Sequence, residues 1–116
     1  MNKLTFLQEE TLNILIDVKK KSPITGKRLA FSIGLKENHA KEGADMRSII
    51  HALRTKNYPI CANTKGYYYA STSTELSEFI VSLNGRISKM QEAVEGLNRS
   101  FDKVKEIEEE RTVSLF

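Results

Sequence analysis

Five side chains of types that can bind ligands through hydrogen bonds or charge share one face of a predicted helix at residues 45–56. They are Arg47, Ser48, His51, Arg54 and Thr55. The other face carries apolar residues at the i, i+3, i+4, i+7 spacing of a packed helix, namely Met46, Ile49, Ile50 and Leu53. Arginine offers a fork of N–H donors that fits phosphates and guanine edges, and Ser or Thr hydroxyls can hydrogen-bond to several bases. This face is therefore suited to noncovalent recognition, although a soluble helix face has the same composition.

A second group of binding side chains lies in the stretch 58–70, which reads Y-P-I-C-A-N-T-K-G-Y-Y-Y-A. A polar loop that ends in glycine between two apolar runs predicts a β-hairpin with strands at 59–62 and 66–70. Lys65 lies at the tip, where its charge can neutralise a phosphate. Because strand residues alternate in direction, either Tyr68 packs inward while Tyr67 and Tyr69 face outward, or the reverse.

The sequence offers no arrangement typical of catalysis. It contains two histidines, one cysteine and no glycine-rich phosphate loop, so constellations for nucleophilic, metal or phosphoryl-transfer chemistry are missing. We predict a non-enzyme without metal or cofactor. Cys61 has no partner for an internal disulfide and fits a small buried apolar residue, and His39 fits a solvated loop.

Charge is unevenly distributed along the 116 residues. The net charge is +3, and acidic residues bunch at 106–110, so the rest of the chain is clearly basic. A basic body suits an anionic partner. No apolar run approaches membrane-spanning length, and the first residues lack the long apolar stretch of a signal peptide. We therefore expect a cytoplasmic protein without membrane contact.

Three helices are predicted before the hairpin. The first spans 5–20 and is stopped by Ser22-Pro23. The second begins after the N-cap Thr25 and ends at Gly34, with Leu29, Ala30 and Ile33 on one face. A loop without apolar periodicity follows at 36–44. The third helix is the one at 45–56, and Asn57 is suited to the left-handed residue that ends it.

A long heptad pattern follows the hairpin. Thr72 and Glu75 form a possible capping box, and apolar residues then recur at alternating spacings of four and three. Branched residues at a with Leu at d favour a parallel two-stranded coiled coil, although the seam and its uncharged e positions leave the number of strands open. The stripe could alternatively fold back on the first domain. Its members are Leu76, Ile80, Leu83, Ile87, Met90, Val94, Leu97, Phe101 and Val104.

The order helix, helix, helix, two-stranded hairpin resembles a winged helix-turn-helix domain. I-T-G-K-R-L-A-F-S-I-G-L resembles the second helix and turn of such domains, I-I-H-A-L-R-T-K-N-Y-P-I resembles the third helix, and N-T-K-G-Y-Y-Y-A resembles the wing. The similarity covers about residues 7–70. It is greatest to biotin-repressor-type domains and to small winged-helix proteins of phages and prophages of Gram-positive bacteria. The longer loop at 36–44 departs from the tight turn usual in that family.

The resemblance implies an α+β, mostly α fold and a function. It implies a winged helix-turn-helix domain at 1–71, and the heptad pattern predicts a coiled-coil helix at 72–108, followed by a flexible tail at 109–116. The heptad and the resemblance together predict a homodimer that binds double-stranded DNA in phage or mobile-element replication or transcription control. In that family the third helix enters the major groove and the wing contacts the backbone. The corresponding residues here are Lys27, Arg28, Arg47, Ser48, His51, Arg54, Thr55, Lys65 and Tyr67.

The chain ends in T-V-S-L-F, which resembles the peptide by which bacterial replication proteins dock on the sliding clamp. Val113, Leu115 and Phe116 match that motif, whereas Thr112 departs at the glutamine position. Two apolar anchors on a tail can fill pockets on a partner, although such an ending also arises by chance. The second functional hypothesis is therefore a protein-interaction module that binds a host replication or defence protein.

Overall fold

The protein is α+β and mostly helical, with one two-stranded antiparallel sheet. The computed structural model describes residues 3–35 and 39–114, with the backbone alone over 39–44 and 113–114. The chain divides after Phe79 into two compact units. Its elements in order are α1 (Phe6–Leu15), α2 (Gly26–Ser32), α3 (His39–Thr55), β1 (Ile60–Asn63), β2 (Gly66–Tyr69), α4 (Ser73–Arg99) and α5 (Phe101–Ser114).

Helix α1 begins as a capping box and ends earlier than its sequence predicts. The Thr5 hydroxyl accepts a hydrogen bond from the backbone N–H of Gln8, and the Gln8 side chain accepts one from the Thr5 N–H. The prediction of helix to Lys20 is wrong, since α1 ends at Leu15. Beyond it the Val18 carbonyl accepts a hydrogen bond from Tyr69, so pairing with β2 replaces the last predicted turn.

Helix α2 has the predicted bounds and packed face. Thr25 is its N-cap, and the Thr25 hydroxyl accepts a hydrogen bond from the Arg28 N–H. Gly34 follows with a φ of +81°, and the bonds from Gly34 to Phe31 and from Leu35 to Ala30 close a Schellman motif. Leu29 and Ala30 are buried and Ile33 is half-buried, which confirms the predicted face.

Helix α3 begins at His39, so the prediction of a loop over 36–44 is wrong from residue 39 onward. Ala40, Lys41, Glu42 and Ala44 are good helix formers, and their propensity extends the helix where no apolar periodicity marked it. Residues 36–38 lie outside the described part of the chain. The helix ends as predicted, because Asn57 has a φ of +75° and Tyr58 donates to the Leu53 carbonyl.

The hairpin β1–β2 follows within one residue of the predicted strands. Ile60 pairs with Tyr69, Cys61 with Tyr68, Ala62 with Tyr67, and Asn63 with Gly66. An isolated bridge joins Ile24 to Tyr67 on the outer edge of β2, so a third extended segment flanks the hairpin.

The main core of the first unit lies between the three helices and one face of the hairpin. Ile60 belongs to this core, and Tyr67 and Tyr69 pack against it. The face of α3 predicted to be buried is buried in full. The core residues are Leu12, Leu15, Leu29, Ala30, Met46, Ile49, Ile50, Leu53 and Ile60.

The first two turns of α4 belong to this unit. Thr72 caps the helix by accepting from the Glu75 N–H, and the Glu75 carboxylate accepts from the Ser71 N–H, which fits the predicted capping box closely. Phe79 is buried although it lies outside the heptad. The first compact unit therefore includes two helical turns beyond residue 71, where the first domain was expected to end.

The second unit consists of the rest of α4 and of α5. The two helices adjoin at Ser100, whose hydroxyl donates to the Leu97 carbonyl at 2.6 Å and locally interrupts the helix. Helix α5 continues to Ser114, so the prediction of a flexible tail from 109 is wrong for 109–114. The run of Glu108, Glu109 and Glu110 favours helix by propensity despite its like charges.

Candidate nucleic-acid interface

The outer face of α3 presents four of its five predicted binding residues to solvent. Arg47, Ser48, His51 and Thr55 are exposed, whereas Met46 and Ile50 on the other face are 1% exposed. The buried face therefore fixes the rotation of α3 in its unit. The exposed side chains offer a guanidinium, an imidazole and two hydroxyls, of which the Thr55 hydroxyl also donates to the Ala52 carbonyl.

Arg54 has a different environment from the other four. Its Nε donates to the Ile60 carbonyl at 2.8 Å, and its guanidinium carbon lies 4.9 Å from the centre of the Phe79 ring. A cation over an aromatic ring at this distance is stabilising. Arg54 thus joins α3, β1 and α4, and helical periodicity alone could not distinguish this role from a place on the exposed face.

The hairpin turn holds Lys65 at its tip. The side-chain oxygen of Asn63 accepts a hydrogen bond of 2.8 Å from the Lys65 backbone N–H, which is an Asx turn. This bond fixes the backbone and leaves the exposed lysine side chain available to an anion. Gly66 completes the turn with a φ of +143°.

The start of α2 lies directly beside this turn. A Cβ atom on Gly66 would lie 2.9 Å from the Thr25 nitrogen, and one on Gly26 would lie 3.4 Å from the Tyr67 ring. Lys27 and Arg28 follow Gly26 and are exposed. Cationic residues from α2 and from the hairpin thus come from two segments in contact, which the sequence did not reveal.

Tyr67 is placed differently from the prediction. It is half-buried, packs against the main core and exchanges backbone hydrogen bonds with Ile24. Tyr68 and Cys61 are buried on the other face of the hairpin, and burial raises the pKa of both the phenol and the thiol. Both faces of the hairpin are covered, so neither alternative for the tyrosines describes them fully.

The heptad residues from Ile80 onward are mostly exposed in the single chain. Ile87 is 61% exposed, Met90 67% and Leu97 69%. Ile107 extends the exposed apolar series beyond the predicted end of the pattern. Only Leu76 and Leu83 are half-buried. The remaining members, Ile80, Val94, Phe101 and Val104, are exposed.

The side chain of Val113 and all of Leu115 and Phe116 lie outside the described residues, so the clamp-like ending has no structural description. Among the described residues, no cluster of three metal-ligating side chains occurs, and none of the helices is long and apolar enough to cross a membrane.

Periodicity singled out neither of two phenylalanines that the structure makes prominent. Phe79 is buried against Arg54, and Phe31 on α2 is 79% exposed. The one signal for Phe79 was an aromatic residue beside the heptad stripe, and that for Phe31 was its place opposite the buried residues of α2.

Protein-family models, curated proteins and solved structures were each compared with the chain, and none gives a significant match. The residues and their placement are therefore the basis on which a function can be proposed.

Proposed function

We propose that the protein binds double-stranded DNA through a winged helix-turn-helix unit and does so as a homodimer. The observation that carries this proposal is the exposed face of α3, where Arg47, Ser48 and His51 stand opposite a fully buried face. An α-helix fits the major groove, and guanidinium and hydroxyl groups suit its base edges. The family resemblance suggests a role in phage or mobile-element replication or transcription control.

Phosphate contacts would come from the cations around the hairpin. Lys65 lies at its tip, and Lys27 and Arg28 belong to the adjoining start of α2. Such contacts position a protein on the backbone without reading sequence. Arg54 and Tyr67 are not among the proposed DNA contacts. Arg54 contacts the Ile60 carbonyl and the Phe79 ring, and Tyr67 exchanges backbone hydrogen bonds with Ile24.

Dimerisation would use the exposed stripe of α4 and α5. Eight consecutive heptad positions from Ile80 to Val104 are apolar, and seven of these eight side chains are exposed. A stripe of this length is stable in water when a second helix covers it. Two DNA-binding units on one such coiled coil favour a DNA site with two half-sites.

The test is a fluorescence-anisotropy titration of the full chain with random-sequence duplex DNA at about 50 and 200 mM salt. We expect affinity to fall about tenfold or more across that range, because each neutralised phosphate releases counterions. Arg47→Ala and Lys65→Ala should weaken binding, and Lys65→Ala should reduce the salt slope by about one. Lys103→Ala, which removes an exposed cation from α5, is the matched control and should leave binding unchanged.

Absence of binding at the lower salt would contradict the DNA proposal. The exposed stripe would then favour the second candidate, a module that binds a host replication or defence protein through α4 and α5. A pull-down with the purified sliding clamp, with and without Leu115→Ala, would test the one partner that the chain ending suggests.

A further inference from the structure

Phe31 has the largest exposed fraction of the large apolar side chains in the described part of the chain. It is 79% exposed on α2. Its neighbours on the helix surface are Lys27, four residues before it, and Arg28, three residues before it. Residues at these spacings lie about 5–6 Å apart at their Cβ atoms, so one aromatic ring stands between two cations.

The orientation of this group follows from the packing of α2. Leu29 is fully buried and Ala30 is 1% exposed, so the face that carries them is held in the core. The Thr25 cap and the Schellman motif at Gly34 fix both ends of the helix. Phe31 is thus held in solvent by a rigid element.

A second exposed phenylalanine has the opposite electrostatic setting. Phe6 is 73% exposed at the start of α1, and Glu9 and Glu10 lie three and four residues after it. Carboxylates at these positions repel a polyanion. The two rings therefore have nearly equal exposure and charged neighbours three and four residues away, but those neighbours have opposite charge.

We propose that Phe31, with Lys27 and Arg28, binds an unpaired nucleotide, so that the protein prefers DNA with locally open or single-stranded bases over uniform duplex. An aromatic face stacks on any base, and cations beside it hold the flanking phosphates. This inference rests on the proposed DNA-binding function and adds its substrate class. Paired bases are stacked within the duplex and cannot cover the ring.

An apolar pocket on a protein partner is the other possible occupant of an exposed ring. The two adjacent cations favour the nucleotide, because an apolar pocket would leave both charges near its rim without a counterion. Lys27 and Arg28 also continue the cationic group that begins at Lys65, from segments in direct contact. Charge complementarity thus identifies a phosphate-bearing ligand.

The experiment compares a labelled duplex with the same duplex that carries a central bubble of unpaired bases, using the full chain at low salt. The wild type should bind the bubble about fivefold or more tightly, as expected for one stacked base. Phe31→Ala and Phe31→Leu should both lose this preference, whereas Phe31→Trp should keep it. Leucine tests for an aromatic face, because it retains the apolar character of the site.

Phe6→Ala is the matched control and should retain the preference. When the bubble contains 2-aminopurine, the wild type should quench the fluorescence of this base, whereas Phe31→Leu should not. If the wild type binds the duplex and the bubble with equal affinity, this inference is overturned and the proposed function is left intact. Loss of the preference in Phe6→Ala, or its retention in Phe31→Leu, would also overturn it. Absence of binding to either DNA would reject both proposals.

Discussion

Gly66 has no side chain, and this allows the hairpin turn to lie directly against the backbone of Ile24 and Thr25. Its φ of +143° is a conformation that L side chains rarely adopt. A Cβ there would clash with the Ile24 carbonyl and lie 2.6 Å from the Ile24 carbonyl carbon. Ile24 is also the residue that pairs with Tyr67. The conformation and the contact therefore both require glycine.

Gly66→Ala should destabilise the first unit by about 3 kcal/mol or more, because backbone strain adds to a backbone clash. Urea unfolding followed by tyrosine fluorescence measures this directly, since all four tyrosines lie between 58 and 69. Gly34→Ala is the control. Its φ is +81°, but nothing lies within 4 Å of the added Cβ, so only about 1–2 kcal/mol should be lost. Equal losses for the two variants would contradict the close approach.

Arg54 illustrates at the residue scale how a side chain of the right type can be used elsewhere. Its helical position equally suits the outer face of α3, but its guanidinium contacts the Ile60 carbonyl and the Phe79 ring. Arginine is suited to both uses because it combines donors in a plane with affinity for aromatic faces. Sequence spacing gives the angle around a helix, not the neighbours at that angle.

At the scale of elements, α4 changes role between adjacent residues. Phe79 is 6% exposed and lies over the Arg54 guanidinium, whereas Ile80 is 47% exposed in the heptad stripe. The exposed ion pair of Lys20 with Glu78, at 3.3 Å, also joins the start of α4 to the first unit and raises the pKa of Lys20. One helix therefore serves the core of the first unit before it enters the second.

Phe79→Ala should destabilise the first unit by about 3 kcal/mol, because it removes a buried ring and the cation–π contact. Tyrosine-detected urea unfolding should show this loss at every protein concentration. Ile80→Ala is the adjacent control and should cost the first unit less than about 1 kcal/mol, since its side chain is largely exposed in the single chain. A larger loss for Ile80 than for Phe79 at low concentration would contradict the division of roles.

At the scale of the whole molecule, charge is divided between the units. Residues 1–79 contain 12 Lys and Arg against 8 Asp and Glu, whereas residues 80–116 contain 6 against 7. The first unit therefore carries a net charge of +4 (12 − 8), which suits the polyanion of the proposed function, and the second carries −1 (6 − 7). This division agrees with one unit for DNA and one for self-association.

Sedimentation equilibrium should give a mass twice that of one chain, with dissociation on dilution. Ile87→Lys should shift the equilibrium to monomer, because a charge replaces a branched residue at an a position of the seam. Ser88→Lys, which adds the same charge one residue away on the outer face, should leave the dimer intact. A wild type that stays monomeric at high concentration would contradict the homodimer.

Local chemistry sufficed to predict much of the fold. The predicted caps at Thr25 and Thr72 act through side chains within three residues, and the hairpin turn and the helix end at Asn57 depend on neighbours in the chain. Interactions of this range are visible in a sequence, because the partners are adjacent. The buried face of α3 and the exposed polar face opposite it were predictable for a similar reason, because both follow from residue spacing within one helix.

Tertiary structure alone decided the rest. The end of α1 depends on hydrogen bonds between residues 18–24 and β2, and the place of Arg54 depends on Phe79. Each of these joins residues far apart in the chain. The sequence by itself determined the order of the helices and the hairpin, the turn and the apolar stripes, because those follow from propensity and period. The contacts that each side chain makes with other elements are decided only when the elements pack together.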